Sequence, residues 1–172
     1  ILHCDRFRLN ETQALEKILS RRPKLVGFSF PSIGYPAAQK ILKQLPERIK
    51  TVLGGPHATL FGRECLEDTT ADFCICGEGE VSLPLLLDFL VQQQGDLHKI
   101  PGLVYREDRH IKVNPESTYI EDLDEIPYPS WDLLQPDRYP PLPHQIICKS
   151  LPVAPMITTR GCPEACTFCA VP

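Results

Sequence analysis

Three short apolar runs, KLVGFSF at 24–30, KTVLGGP at 50–56 and ADFCICG at 71–77, alternate with segments of helical spacing. That alternation limits the possible folds more than any other feature of the chain. A continuous apolar run of this length suits a strand covered on both faces, as parallel strands are. NETQALEKILSRR sets Ala14, Leu15, Ile18 and Leu19 on one face and spaces Asn10 and Gln13 as a capping box. PAAQKILKQLP carries Ala37, Ala38, Ile41, Leu42 and Leu45 on one stripe and ends at Pro46. EVSLPLLLDFLVQQQ predicts a strongly apolar helix closed by Gly95. ILHCDRF reads as a further β-like run, and CDRFRL as the second strand of the fold. The pattern therefore predicts an α/β protein with a doubly wound parallel sheet. Ligands of such sheets lie beyond the carboxyl ends of the strands. Here those ends are Ser29–Ile33, Gly54–His57 and Gly77–Glu80, three loops on one rim.

Bulk properties exclude several function classes. A hydrophobic content of 42% over 172 residues supports a packed core. The net charge of −4 supplies no basic surface for nucleic acid. No apolar stretch reaches the length of a membrane span, and no signal-peptide pattern occurs. The eight cysteines are distributed unlike a secreted disulfide scaffold, so we expect reduced thiols and a cytoplasmic protein. A chain opening on ILHCD without Met reads as a piece of a longer polypeptide.

From Gly102 the pattern changes. GLVYREDRHIKVNP predicts a β-hairpin turning at Asp108–Arg109. Half of the 18 prolines then fall between Pro115 and Pro155, a density that favours an extended linker. VAPMITTR resumes as a strand and runs into a cysteine loop. These shifts divide the chain into a front domain at 1–98, a hairpin and Pro-rich linker at 99–150, and the start of another domain at 151–172.

The cysteine loop, GCPEACTFC, spaces Cys162, Cys166 and Cys169 as C-x3-C-x2-C. A structural zinc site takes four protein ligands, and so does an electron-carrying four-iron cluster. Three thiolates in one loop fit a four-iron cluster with one iron open to a small molecule. The alternatives are a zinc site completed by outside ligands, or three unrelated thiols. With Phe168 before the last cysteine and MITTRGC before the first, the loop resembles the C-x3-C-x-aromatic-C hallmark of radical S-adenosylmethionine enzymes. That resemblance implies that Cys162, Cys166 and Cys169 bind a [4Fe-4S] cluster and that S-adenosylmethionine chelates the open iron. One electron, from a donor such as flavodoxin or ferredoxin, then cleaves S-adenosylmethionine to methionine and a 5′-deoxyadenosyl radical. Phe168 would pack beside the cluster or the adenosyl group. Arg160 either places positive charge near the cluster or is a solvated strand end.

The run RPKLVGFSF, KTVLGGPHAT, ADFCICGEGE, LPLLLDFL, GLVYRED and YIEDLDEIPYPSWDLL resembles the cobalamin-binding domain joined to many radical S-adenosylmethionine enzymes, a group that includes the anaerobic cyclase of chlorophyll synthesis. The resemblance implies a Rossmann-like front domain of the cobalamin-binding type with its first strand upstream of Ile1. After the hairpin and linker would come the first strand and cluster loop of a truncated radical barrel. It also implies that Ser29 bonds the nucleotide tail of cobalamin and that Gly54 and Gly55 let backbone approach the corrin. The family's Ser-x-Leu is only partly matched by Ser29, Phe30 and Pro31, and its D-x-H-x-x-G is absent. The alternative for Gly54–Gly55 is an ordinary tight strand-to-loop turn. His57 reads as a loop cap. In GEGEVS the dinucleotide fingerprint fails at Ser82, and Glu78 and Glu80 would repel a pyrophosphate. Tyr128 and Trp131 read as anchors of the linker, and Cys74 and Cys76 as small buried hydrophobes.

The expected function is that of a cobalamin-dependent radical enzyme acting by methyl transfer or by cyclisation on a small molecule, with no catalytic residue assignable here. Two other readings stand beside it: a radical enzyme whose front domain binds no cobalamin, and a non-catalytic cobalamin module with a metal-binding thiol loop.

Overall fold

The computed structural model describes residues 1–115, 120–134, 157, 159–162, 164, 166, 167 and 169. The chain forms two units, Leu9–Ile126 and a second made of Ile1–Arg8 with Pro127–Pro172.

The larger unit is built on a five-stranded sheet in the order β1-β2-β3-β4-β5. Strands β1 (Leu25–Ser29), β2 (Lys50–Gly54) and β3 (Phe73–Ile75) run parallel. Strands β4 (Leu103–Glu107) and β5 (His110–Val113) are antiparallel. Asp108 and Arg109, both at positive φ, make the tight turn between them that the sequence predicts. The hairpin is no appendage, however, because β4 pairs with β3 and extends the sheet. Gly102 makes this possible: its φ is +61°, its carbonyl accepts the Cys76 N–H at 2.9 Å, and a Cβ there would collide with the Cys76 carbonyl.

Helices cover both faces. On one side α3 (Tyr35–Leu42), α4 (Pro56–Leu60) and α5 (Gly62–Asp68) bury Ala38, Leu42, Ala58, Cys65 and Leu66 against Leu53, Cys74 and Val104. On the other, α6 (Gly79–Leu87) buries Leu86 against Val52, Phe73, Ile75, Leu103 and Tyr105. The period-2 alternation of the strands sorts these two sets. Helix α2 (Glu11–Ser20) starts on the Asn10–Gln13 capping box, with Gln13 N donating to Asn10 Oδ1 at 2.9 Å, and packs on α3. The Arg106 guanidinium donates to the Leu66 carbonyl and, at 3.1 Å, to the Thr69 carbonyl, capping the end of α5.

Three sequence expectations are corrected. CDRFRL is not a strand: Cys4–Phe7 forms the short helix α1, closed by Arg8 at positive φ. Charged residues interrupt its alternation, so no apolar face specifies a ladder. The first strand, expected to be buried, is the edge of the sheet among the described residues, and Gly27 and Ser29 are exposed. The apolar helix is not sealed by Gly95. It passes from α6 into a wider π turn at Asp88–Gln92 and stops at Gln93, which is left-handed.

In the smaller unit, α7 (Trp131–Leu134) follows the prolines. Tyr128 is 95% exposed, so it anchors nothing among the described residues. The predicted strand VAPMITTR lies largely outside the described residues. No helix among the described residues is long and apolar enough to cross a membrane.

Candidate functional site

The parallel strands bring the three predicted loops to one edge of the sheet. In register, Ser29 lies beside Gly54, and Leu53 beside Cys74, so the chain leaves β1, β2 and β3 side by side. Loop contacts then tie these exits together. Phe30 N donates to Gly54 O at 3.4 Å and His57 N donates to Phe30 O at 3.3 Å. His57 Nδ1 meets Ser32 Oγ at 3.0 Å. The imidazole is further held by Tyr35 and Phe61, with ring centroids 4.3 and 5.0 Å away. His57, within α4, thus braces the loop after β1, where the sequence has it cap its own loop.

The two glycines after β2 differ physically. Gly55 has φ +87° and ψ −176°, a region open essentially to glycine alone. A Cβ there would stand 2.7 Å from Ser29 Oγ and 3.0 Å from Phe30 N. Neighbouring chain therefore demands this glycine. A Cβ on Gly54 would come no closer than 4.0 Å to any atom. No such demand exists at Gly79 either, where a Cβ would meet nothing within 4 Å. Gly77 has positive φ but equally open surroundings.

These positions outline an uncovered surface of small residues. Gly27, Ser29 and Gly54 share one sheet face, by strand alternation and register, and the first two are exposed while Gly54 is half-buried. Gly77, exposed, and Gly79, half-buried at the start of α6, follow β3 at the same end of the strands. A wide, flat ligand needs this kind of bare backbone, and the residues present fit one.

Thr59, missed in the sequence, links the loops. Its hydroxyl donates to Gly55 O at 3.1 Å and accepts from Gly77 N at 3.1 Å. The readable signal was its spacing, four residues after Gly55 at the start of a helix. Next to it, Glu78 Oε2 accepts the Ile120 N–H at 2.8 Å, and Ser82 Oγ donates to Pro101 O at 2.7 Å. Both positions of the rejected dinucleotide fingerprint are thus spent on the fold.

Below the rim, Cys65, Cys74 and Cys76 are buried. Its hydrogen bond with Cys76 and its burial push the Cys74 thiol far up, and burial pushes Cys65 up. Both stay protonated and act as small apolar groups. Burial also drives the Tyr35 phenol up to about 12.

In the smaller unit, Cys162, Cys166 and Cys169 are exposed, and Cys169 N donates to Cys166 O at 3.1 Å. Among the described residues no three Cys, His, Asp or Glu side chains converge as a metal site. Phe168 lies outside the described residues, and Arg160 is exposed.

Residues 4–87 match the family model of the B12 binding domain. An uncharacterized methyltransferase of Pyrococcus horikoshii is 37% identical over 135 residues, 76% of this chain and 27% of the relative. The anaerobic magnesium-protoporphyrin IX monomethyl ester cyclase of Rubrivivax gelatinosus is 33% identical over 170 residues, 94% of this chain and 29% of the relative. The chain therefore spans less than a third of either. The cobalamin-dependent S-adenosylmethionine radical enzyme OxsB, solved with aqua-cobalamin and S-adenosylmethionine bound, superposes with a TM-score of 0.61. It is 23% identical, over 72% of this chain and 18% of that one, a likeness of fold.

Proposed function

We propose that the chain, whose residues 4–87 match the B12 binding domain, works as the cobalamin-binding part of a radical S-adenosylmethionine enzyme. One observation supports this most directly: where β1 and β2 end side by side, Ser29 and Gly54 keep the strand ends small, and Gly54 has room for a side chain that it does not carry. Ser29 and Gly54 would carry the ligand, with Ser29 offering a hydroxyl to the nucleotide tail. Gly55 serves by fixing the turn that brings Ser29 against it. The alternative in which the front domain is a scaffold without cobalamin leaves Gly54 and Gly79 unexplained, since each gives up a side chain at a place with room for one.

For the smaller unit the proposal is that Cys162, Cys166 and Cys169 take a [4Fe-4S] cluster, with S-adenosylmethionine on the open iron and Phe168 beside it. Metal binding commonly gathers its own ligands, so exposed thiols on one loop are a workable starting state. Bound together, these cofactors supply radical chemistry and methyl groups, which the protein has only to position and shield. Methyl transfer to a small molecule, or its cyclisation, would be the reaction, because the relatives include a methyltransferase and a cyclase. A flavodoxin- or ferredoxin-type protein would be the electron donor.

The test is an anaerobic visible spectrum after reconstitution with iron, sulfide and hydroxocobalamin and then desalting. Corrin bands together with broad iron–sulfur absorption, the latter lost in a Cys162→Ala, Cys166→Ala double variant, are the expected result. Zinc in place of iron, or a spectrum with no corrin, would overturn the corresponding half.

A further inference from the structure

The hydrogen bonds of Thr59 span two separate loops of the proposed site. Its Oγ1 donates to Gly55 O at 3.1 Å, and its own backbone N–H donates to the same carbonyl at 3.0 Å. Gly77 N, in the loop after β3, donates to that Oγ1 at 3.1 Å. One hydroxyl thereby uses its proton on the β2 loop and a lone pair on the β3 loop. We propose that Thr59 is a positioning residue for the cofactor, setting the distance between the two glycine loops on which the corrin lies. This rests on the cobalamin reading given above.

The bond it makes is poorly suited to a purely structural role. Gly77 is exposed and a Cβ there would meet nothing within 4 Å, so water can replace Thr59 on the Gly77 amide. An exposed hydrogen bond that water can replace adds little to stability. What water cannot do is hold two loops at a fixed separation. Glycine loops have many accessible conformations, and a ligand that needs one of them loses affinity in proportion to how rarely it is populated. Gly55 lies close against Ser29 and Phe30, with no room even for a Cβ. Gly77 has no such packing, and Thr59 supplies the missing restraint.

The experiment compares the full chain with Thr59→Val, which keeps the shape and loses the hydroxyl, and Thr59→Ser, which keeps the hydroxyl. Hydroxocobalamin is titrated by visible absorbance, and each variant is melted without ligand. In Thr59→Val the Kd is expected to rise about tenfold, about 1.4 kcal/mol, while Thr59→Ser stays within about twofold. The unliganded melting midpoints should lie within about 2 °C of one another, and the Gly77 amide should exchange faster in the valine variant alone. Should valine unfold the chain, Thr59→Ala takes its place with the same expectation. Wild-type affinity in the hydroxyl-free variant overturns the inference, and so does a loss shared by serine and valine in step with melting. A wild-type chain that retains no corrin overturns the proposed function itself and the inference with it, which distinguishes the two failures.

Discussion

Replacing Gly55 by alanine should separate what the fold needs from what the ligand needs. The position has φ +87° and ψ −176°, and a non-glycine residue held there is strained by about 1–3 kcal/mol. The new Cβ would also stand 2.7 Å from Ser29 Oγ and 3.0 Å from Phe30 N. Ser29 can rotate away, but Phe30 N is backbone and must move, at about 1 kcal/mol or more by comparison with overpacked cores. Gly55→Ala should therefore destabilise the larger unit by about 2–4 kcal/mol. Urea denaturation followed by far-ultraviolet circular dichroism reads this as a lower midpoint at unchanged slope. Gly54→Ala, whose Cβ comes no nearer than 4.0 Å to any atom, should stay within about 0.5 kcal/mol of wild type and instead weaken cobalamin binding. Equal stability losses at the two glycines would refute the reasoning, because they would show that the turn tolerates or rejects a side chain without regard to φ and space.

Asn10→Ala removes the capping box of α2 and should cost about 1 kcal/mol, read from the thermal midpoint, with Asn10→Ser nearly neutral. Tyr35 is a raised acid, at about 12 against 10.0 unperturbed, so the stability linked to it is complete below pH 10 and lost as pH rises from 10 to 12. Tyr35→Phe removes the group that titrates and should flatten the alkaline loss in denaturation at pH 8 to 12. Ser29→Ala should weaken cobalamin about three- to tenfold and leave cobinamide, which lacks the nucleotide tail, unchanged. Equal effects on both ligands would show that Ser29 does not read the tail.

The strand–helix alternation carried most of the fold because burial on both faces of a parallel sheet leaves continuous apolar runs. KTVLG and FCI became the inner strands β2 and β3 as expected. KLVGFSF has the same look, yet an edge strand can expose Gly27 and Ser29, and periodicity does not tell an edge from a centre. The hairpin turn was readable from Asp108–Arg109, but its docking onto β3 depends on Gly102 fitting over the Cys76 carbonyl, a long-range contact. At the candidate site, Ser29, Gly54 and Gly55 were legible as strand-end residues. Their division of labour was not, since the difference between Gly54 and Gly55 lies in a dihedral angle and in the atoms opposite. Thr59 was overlooked because its meaning depends on Gly77, 18 residues away and one strand across. The cysteine spacing stands apart: three thiols in one loop suggest a metal group by chemistry, and only the resemblance selects S-adenosylmethionine as its partner.

The central claim is that the bare strand-end surface holds a corrin. Its most direct test is equilibrium dialysis of hydroxocobalamin against the full chain, with Gly54→Leu as the variant that fills the surface and circular dichroism as the check on folding. The account predicts about one corrin retained per wild-type chain and strongly reduced retention by a folded Gly54→Leu. Retention of corrin by neither protein, or undiminished retention by both, would contradict it.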